Sequence, residues 1–377
     1  MHFDIVIVGA GMAGASVAAE LAGSGKSVLL LEAEDTPGYH TTGRSAAFWH
    51  ESYGGPTVQP LITGSLDFLR APDADFSEQG FLLPRHAVTL GRDADMDALD
   101  RFRTDFAASG VEMVDLDRTA LESIVPGLRA GWNHGIAEPS CADIDVAGLH
   151  AAYLRHARKN GVDIRTRAGL QSVTRQSDGN WLLETAAGTV TAGMLVNAAG
   201  AWADEIARMA AVAPVNITPY RRTLLQVRVN AETPPELPLV IDVNGEFYFK
   251  GESNGKIWLS PHDEIPDEPR DVSPEELDVA IAIDRLEHVV DWPIAAVERK
   301  WAGLRTFAPD RLPVIGADPL VPNFFWLAGQ GGYGIMTAPA IAAMAGSLLA
   351  GERADALHAA ISVDLDLALF SPDRFDL

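Results

Sequence analysis

Gly9, Gly11 and Gly14 are spaced G-x-G-x-x-G near the start of the chain. That spacing suits a pyrophosphate. The first glycine permits a tight strand-to-helix turn, the second lets phosphate approach the backbone, and the third lets the helix pack close to the strand. Backbone N–H groups at the helix N-terminus, including those of Met12 and Ala13, then face the anion. Glu32 ends the next apolar run, 18 residues past Gly14. A carboxylate there accepts hydrogen bonds from both ribose hydroxyls. It would repel a 2′-phosphate, and the neighbours Ala33 and Glu34 bring no arginine to attract one. The pattern serves NAD and FAD alike. Its place at the N-terminus, with no second full fingerprint, favours the adenine end of FAD.

These glycines need elements to hold them. Phe3–Val8 is rich in β-formers, an Ala-rich helix reaches about Ser24, and Val28–Leu31 is a second strand, giving β-α-β. The spacing predicts helices over 58–71, 96–109, 146–160 and 274–290, the last of them acidic. Strands are expected between 162 and 190, over 194–199, and from 223 to 260, with turns at Asn244-Gly245 and Asn254-Gly255. Further strands fall near 297–304, 313–315 and 324–327. Ile335–Ala350 carries Pro339, is too short to span a bilayer, and reads as a buried helix.

The chain has 377 residues, enough for two domains. With 47% hydrophobic and 21% charged residues it has the composition of a globular protein with a real core. Its 29 basic and 52 acidic side chains give a net charge of −23, which disfavours nucleic acid and anionic membrane surfaces. One cysteine, Cys141, cannot form an internal disulfide, which fits a reducing cytoplasm. No secretory leader is evident. The ten histidines show no metal-ligand spacing.

Five stretches together carry a resemblance. GAGMAG (9–14) with Glu32, TTGRSAA (41–47), LVNAAGAWAD (195–204), WAGLRTFAPDRLPVIG (301–316) and GQGGYGIMTAPA (329–340), with the tail SPDRF (371–375), together resemble the D-amino-acid-oxidase-like flavoprotein family. The likeness covers nearly the whole chain in order. It looks closest to the bacterial D-arginine dehydrogenase type, through PGYH-TTGRSAA, the double arginine of PYRRT, EFYFK and KWAGLRTF. The resemblance implies an α/β fold with a Rossmann-like FAD-binding domain of glutathione-reductase type. A β-sheet-rich α+β substrate domain joins it, both built from discontinuous segments. The expected division is 1–78, 142–213 and 308–377 for non-covalent FAD, with 79–141 and 214–307 for substrate. Thr41, Thr42, Arg44, Ser45 and Ala46 are expected beside the cofactor. So are Gly200, Trp202, Gly331, Gly332, Tyr333, Gly334, Ile335 and Met336, with Thr337 opening a helix toward the flavin.

The chemistry so implied is hydride transfer from a substrate Cα–H to flavin N5. The imino acid formed then hydrolyses to a 2-oxo acid and ammonia. The substrate carboxylate needs a fixed clamp. Arg222 and Arg305 suit it, since guanidinium binds carboxylate bidentately and each charge-assisted bond contributes roughly 1.5–3 kcal/mol. In the resembled family these two positions and the one matching Tyr248 bind the carboxylate. Tyr53 matches a residue near the substrate, and the Gly332 carbonyl matches an acceptor for the α-amine. Arg221 stands beside Arg222, and one of the pair is expected to be structural. Tyr53, His50 or an ordered water could take the amine proton.

The chain also departs from that type. Phe48 replaces a histidine, His50 a threonine, and Ala87 the glutamate that pairs with a cationic substrate side chain. Phe48, Ala87, Leu239, Ile241 and Tyr248 suggest an apolar pocket for neutral D-amino acids. Lys256 lies on the strand where sarcosine-oxidase-like relatives place a lysine near N5, but Ile257 is expected to face the flavin and Lys256 to turn away. Cys141 is far in sequence from any linking cysteine of those relatives. A dehydrogenase passing electrons to a quinone or dye-like acceptor is favoured over an oxidase using O2. A glycine- or sarcosine-oxidase-like enzyme, a flavin-carrying subunit of a larger complex, and a nicotinamide-dependent dehydrogenase are the alternatives. The oligomer is expected to be a monomer or homodimer.

Overall fold

In the computed structural model, residues 1–231, 233–234, 236–252, 255–351 and 365–375 are described. The turn expected at Asn254-Gly255 therefore lies partly outside them. Two sheets organise the chain.

The first has eight strands. His2–Val8 lies at its centre, parallel to Val28–Leu31 on one side and to Gly188–Asn197 on the other. Asp163–Arg165 extends it beyond Val28–Leu31. The end of Gly188–Asn197 pairs with Phe324–Ala328, which carries Val314–Ala317. The start of the same long strand pairs instead with Trp181–Thr185, which carries Leu170–Arg175. Both faces are covered, so the central strands are continuously apolar. Ile5 and Ile7 pack against the helices Met12–Glu20, Val146–Lys159 and Ala338–Ala350, while Val6 and Val8 face a second core with Trp181, Phe324 and Trp326.

The second sheet has nine strands. Thr218–Val229 and Ile294–Phe307 run antiparallel along most of their length. Lys256–Ser260, Tyr248–Glu252, Leu239–Asp242, Ala87–Arg92, Trp132–Glu138 and Val114–Leu116 follow in order. The helix Glu276–Val289 covers one face, packing Val279, Ala282 and Leu286 onto Leu225, Val227, Phe249, Ile257 and Leu259. The other face carries Leu224, Leu239, Tyr248 and Ala87, which join the core around Met12 and Phe48. A small third sheet of Phe48–Trp49, Ala142–Ile144 and Leu82–Pro84 lies between.

Two local expectations change. The helix expected over 58–71 is two short helices, Gln59–Gly64 and Leu66–Arg70, meeting at Ser65. The Ser65 hydroxyl donates to the Leu61 carbonyl at 2.8 Å and accepts the N–H of Ala340 at 3.2 Å, so the break is where this region docks on the C-terminal helix. The strand alternation also overturns the expectation for Ile257. It lies fully buried on the helix-covered face, and Lys256, on the opposite face, pairs with Glu298 at 2.8 Å. No described helix is long and apolar enough to cross a membrane.

Candidate active site

The glycine loop has the geometry its spacing requires. Gly9 has φ +101°, and a Cβ there would come within 2.5 Å of the Ala198 carbonyl oxygen. A Cβ on Gly14 would come within 1.9 Å of the Gly9 carbonyl oxygen. Helix and strand therefore approach as only glycine allows. The Glu32 carboxylate is buried and accepts the N–H of Ala10 and of Glu34, each at 3.0 Å. Its position at the tip of the second strand is thus fixed before any ligand arrives.

A cleft of about 450 Å³ starts at Glu32 and Ala33 and ends at Arg222, Arg305 and Gly332. Gly9, Gly11, Met12 and Ala13 line its first part, and Thr41, Thr42, Arg44, Ser45 and Ala46 its middle. Gly200 and Trp202 close one side, and Gly331, Gly334 and Ile335 the far end. Gly14, Tyr333, Met336 and Thr337 do not line it. Gly14 lies beneath the loop. Tyr333 is buried and donates its hydroxyl to the Arg311 carbonyl. Thr337 is the N-cap of Ala338–Ala350, but its hydroxyl donates to the Tyr333 carbonyl at 2.9 Å. The flanking loop is pinned from the second sheet. Thr41 donates to the Leu304 carbonyl at 2.7 Å, and the Arg44 guanidinium turns outward to Asp271 at 2.6 Å and to the Val272 and Ala302 carbonyls.

A long cleft with a buried carboxylate at one end and open glycine backbone beside a helix N-terminus fits an extended dinucleotide. Cys141 is buried outside it, and burial pushes its thiol well above the usual range. It is unsuited to covalent attachment.

At the far end the double arginine separates by strand alternation. Arg222 and Arg305 lie on the cleft face, in the adjoining strands Thr218–Val229 and Ile294–Phe307. Arg221 points to the helix-covered face and pairs with Asp278 at 3.0 Å, Asp267 at 3.3 Å and Glu275 at 2.7 Å. Arg222 donates through Nε to the Asp263 carbonyl at 2.6 Å and through Nη2 to Glu264 at 3.1 Å. Its Nη1 is buried without a partner among the described residues. Burial and the neighbouring Arg305 charge lower the Arg222 pKa. Arg305 Nη1 meets the Tyr53 hydroxyl at 2.5 Å. Gly332 stands against both, since a Cβ there would lie 2.7 Å from Arg305 Nη1 and 3.0 Å from the Tyr53 oxygen.

The expected pocket residues come together beside this clamp. Leu239 pairs with Ala87 and Ile241 with Tyr248 across the sheet. The Phe48 ring meets Tyr53 edge-on at 5.5 Å and Tyr248 at 5.9 Å. Burial pushes the Tyr248 hydroxyl up, and it remains neutral. His50 is buried, with Nε2 3.0 Å from Glu138 Oε2.

Three acidic or basic residues here escaped sequence reasoning. Asp263 and Glu264 hold Arg222. His262 donates Nδ1–H to the Gly245 carbonyl at 2.6 Å and meets the Tyr248 ring at 5.5 Å. Burial and the charges of Arg222 and Arg305 push the His262 pKa down to about 2, so it stays neutral. In the sequence these three form only a polar run, His262-Asp263-Glu264, with no spacing to mark it.

The profile of a family described as FAD dependent oxidoreductase, abbreviated DAO, matches residues 4–348. Human mitochondrial dimethylglycine dehydrogenase is 27% identical over 366 residues, which cover 89% of this chain and 41% of that protein. The chain thus spans about two fifths of the length of that relative. Hydrogen cyanide synthase subunit HcnC of Pseudomonas aeruginosa is 26% identical, over 99% of this chain and 96% of its own. Glycine oxidase from Geobacillus kaustophilus superposes with a TM-score of 0.84 at 22% identity, covering 99% of each chain. The match across almost the whole length, on a fold with the dinucleotide loop in place, assigns the chain to the DAO family of FAD-dependent oxidoreductases.

Proposed function

We propose that the protein oxidises the carbon–nitrogen bond of a small amino acid with a neutral side chain, and that its substrate is a D-amino acid. The observation that carries this reading is the pair Arg222 and Arg305. Two guanidinium groups from separate strands, Arg222 buried and Arg305 half-buried, line one end of the cofactor cleft, and Arg222 Nη1 has no partner among the described residues. Glu264 pairs with Arg222, but no carboxylate pairs with Arg305 among the described residues, so two cations share one end of the cleft and the site favours a ligand that brings a carboxylate.

FAD, when bound, supplies the hydride acceptor. The unit of residues 1–78, 142–213 and 308–377 is proposed to hold it, with Glu32 on the ribose and Gly11 and Ala13 at the phosphates, while the Met12 N–H is donated to the Thr42 hydroxyl at 2.9 Å. Residues 79–141 and 214–307 hold the substrate. Arg222 and Arg305 anchor the carboxylate, Tyr53 and Tyr248 wall it in, and the Gly332 carbonyl accepts from the amine. Burial of Phe48, Tyr248, Ala87 and Leu239 keeps water from the pocket. Tyr53 or an ordered water takes the amine proton. With no lysine among the residues that line the cleft, we favour a dehydrogenase.

Relatives and structural neighbours named for dimethylglycine, glycine and L-proline support a second reading, oxidation of glycine or an N-alkylated amino acid at the same clamp. Anaerobic titration of the yellow protein separates the two. D-Amino acids are expected to bleach the flavin absorbance. Bleaching only by glycine, sarcosine, dimethylglycine or L-amino acids overturns the D-specific reading. Peroxide formed under air overturns the choice of dehydrogenase.

A further inference from the structure

Glu138 stands directly opposite Ala87 in the sheet, and Ala87 opposite Leu239. Residues in register across a sheet share a face. Leu239, Ala87 and Glu138 therefore form one row, on the face that carries Ile241 and Tyr248. At the end of that row the carboxylate meets His50.

Both side chains are only 3% exposed. Glu138 also accepts the N–H of Glu51 at 2.7 Å, and the Ser52 hydroxyl lies 3.2 Å from His50 Nε2. Burial pushes the Glu138 carboxyl up, but His50, Ser52 and the Glu51 amide outweigh it and hold it below the usual range. Glu138 Oε2 lies 3.0 Å from His50 Nε2, though not at a hydrogen-bonding angle, and it has no hydrogen-bond partner among the described residues. The other nitrogen, Nδ1, is buried with no partner among the described residues. The rings of Phe48 and Tyr53 lie 6.4 and 6.5 Å from that of His50. This packed apolar cluster thus has one unsatisfied polar atom beside it.

We propose that His50, oriented by Glu138, is a specificity-determining residue that hydrogen-bonds the end of the substrate side chain, and that the preferred side chains end in a hydroxyl or carboxamide. Such groups both donate and accept, so they serve Nδ1 whether or not it carries a proton. Glu138 is a positioning residue. The proposal rests on the amino-acid reading above. A buried polar atom discriminates strongly against an isostere that cannot pair with it.

The test compares the size-matched pairs D-threonine with D-valine and D-asparagine with D-leucine, reading kcat/KM with a dye acceptor. In the wild type the polar member of each pair is expected to lead at least tenfold. His50→Phe removes or reverses that ratio while D-valine still reduces the flavin. Glu138→Gln, which keeps a polar group beside Nε2, keeps the ratio, and Glu138→Leu diminishes it. A merely structural histidine would lower both rates and leave the ratio unmoved, which overturns the proposal. So does a wild type without the polar preference, a result that needs no variant to fold. If no D-amino acid bleaches the flavin, the parent reading falls; bleaching without isostere discrimination sinks this inference alone.

Discussion

Arg305 Nη1 lies 2.5 Å from the hydroxyl of Tyr53, so the carboxylate clamp and the wall of the pocket form a single hydrogen-bonded unit. Burial pushes the Tyr53 pKa up, but the Arg305 and Arg222 charges outweigh it and hold it below the ordinary tyrosine value. A phenolate there would neutralise the charge that a substrate carboxylate needs.

The affinity for a simple carboxylate ligand should therefore fall as pH rises through a midpoint below about 10. Below the midpoint the phenol is neutral and both guanidinium charges are available; above it, one is spent on the phenolate. Titrating benzoate against the flavin spectrum from neutral to alkaline pH reads this directly, without an amine that titrates itself. Tyr53→Phe should abolish the alkaline loss.

The two neighbouring arginines should fail in different ways. Arg222→Met is expected to lower kcat/KM about 10²- to 10³-fold with little loss of stability, since it removes charge-assisted bonds of roughly 1.5–3 kcal/mol each. Arg221→Met leaves the buried Asp278 uncompensated and should cost about 3 kcal/mol of stability while kcat/KM stays within a few-fold. Steady-state kinetics and denaturant unfolding on both variants check the contrast.

Gly332→Ala should displace Arg305 and Tyr53 together, because its Cβ would lie within 3.0 Å of each. A misplaced clamp of this kind costs roughly 10²-fold in rate. The flavin content should not change, which the absorbance of the oxidised protein without substrate can verify.

D-Arginine and D-lysine should be poor substrates. Ala87 offers no counter-charge, and the nearby Glu138 carboxylate is already paired with His50. An unpaired desolvated cation costs roughly 2–5 kcal/mol, so kcat/KM for D-arginine is expected at least about thirtyfold below that for D-leucine. Equal or better turnover of D-arginine refutes the neutral pocket.

The glycine loop, Glu32 and both cleft arginines were legible because each depends on local chemistry: a turn, a strand tip, a cation in an apolar strand. Strand alternation, equally local, could have separated Arg221 from Arg222 and turned Ile257 away from the cofactor. Glu138, Asp263 and Glu264 were not legible. They reach the site through pairing between segments about forty to ninety residues apart, such as Asp263 with Arg222 and Glu138 with His50, and nothing in their own neighbourhood marks that. The break at Ser65 was hidden for the same reason, as its purpose lies at Ala340.

Gly188–Asn197 completes the flank of His2–Val8 and in turn waits for Phe324–Ala328. Val28–Leu31 is made soon after the glycine loop, but the other flank of His2–Val8 waits until Gly188–Asn197 is made, about halfway along the chain. Until then the nascent chain carries an apolar strand with one open edge, a state prone to aggregation. Cofactor loading is correspondingly a late event in biosynthesis, and C-terminal truncations should yield insoluble, colourless chains rather than apo-enzyme awaiting flavin.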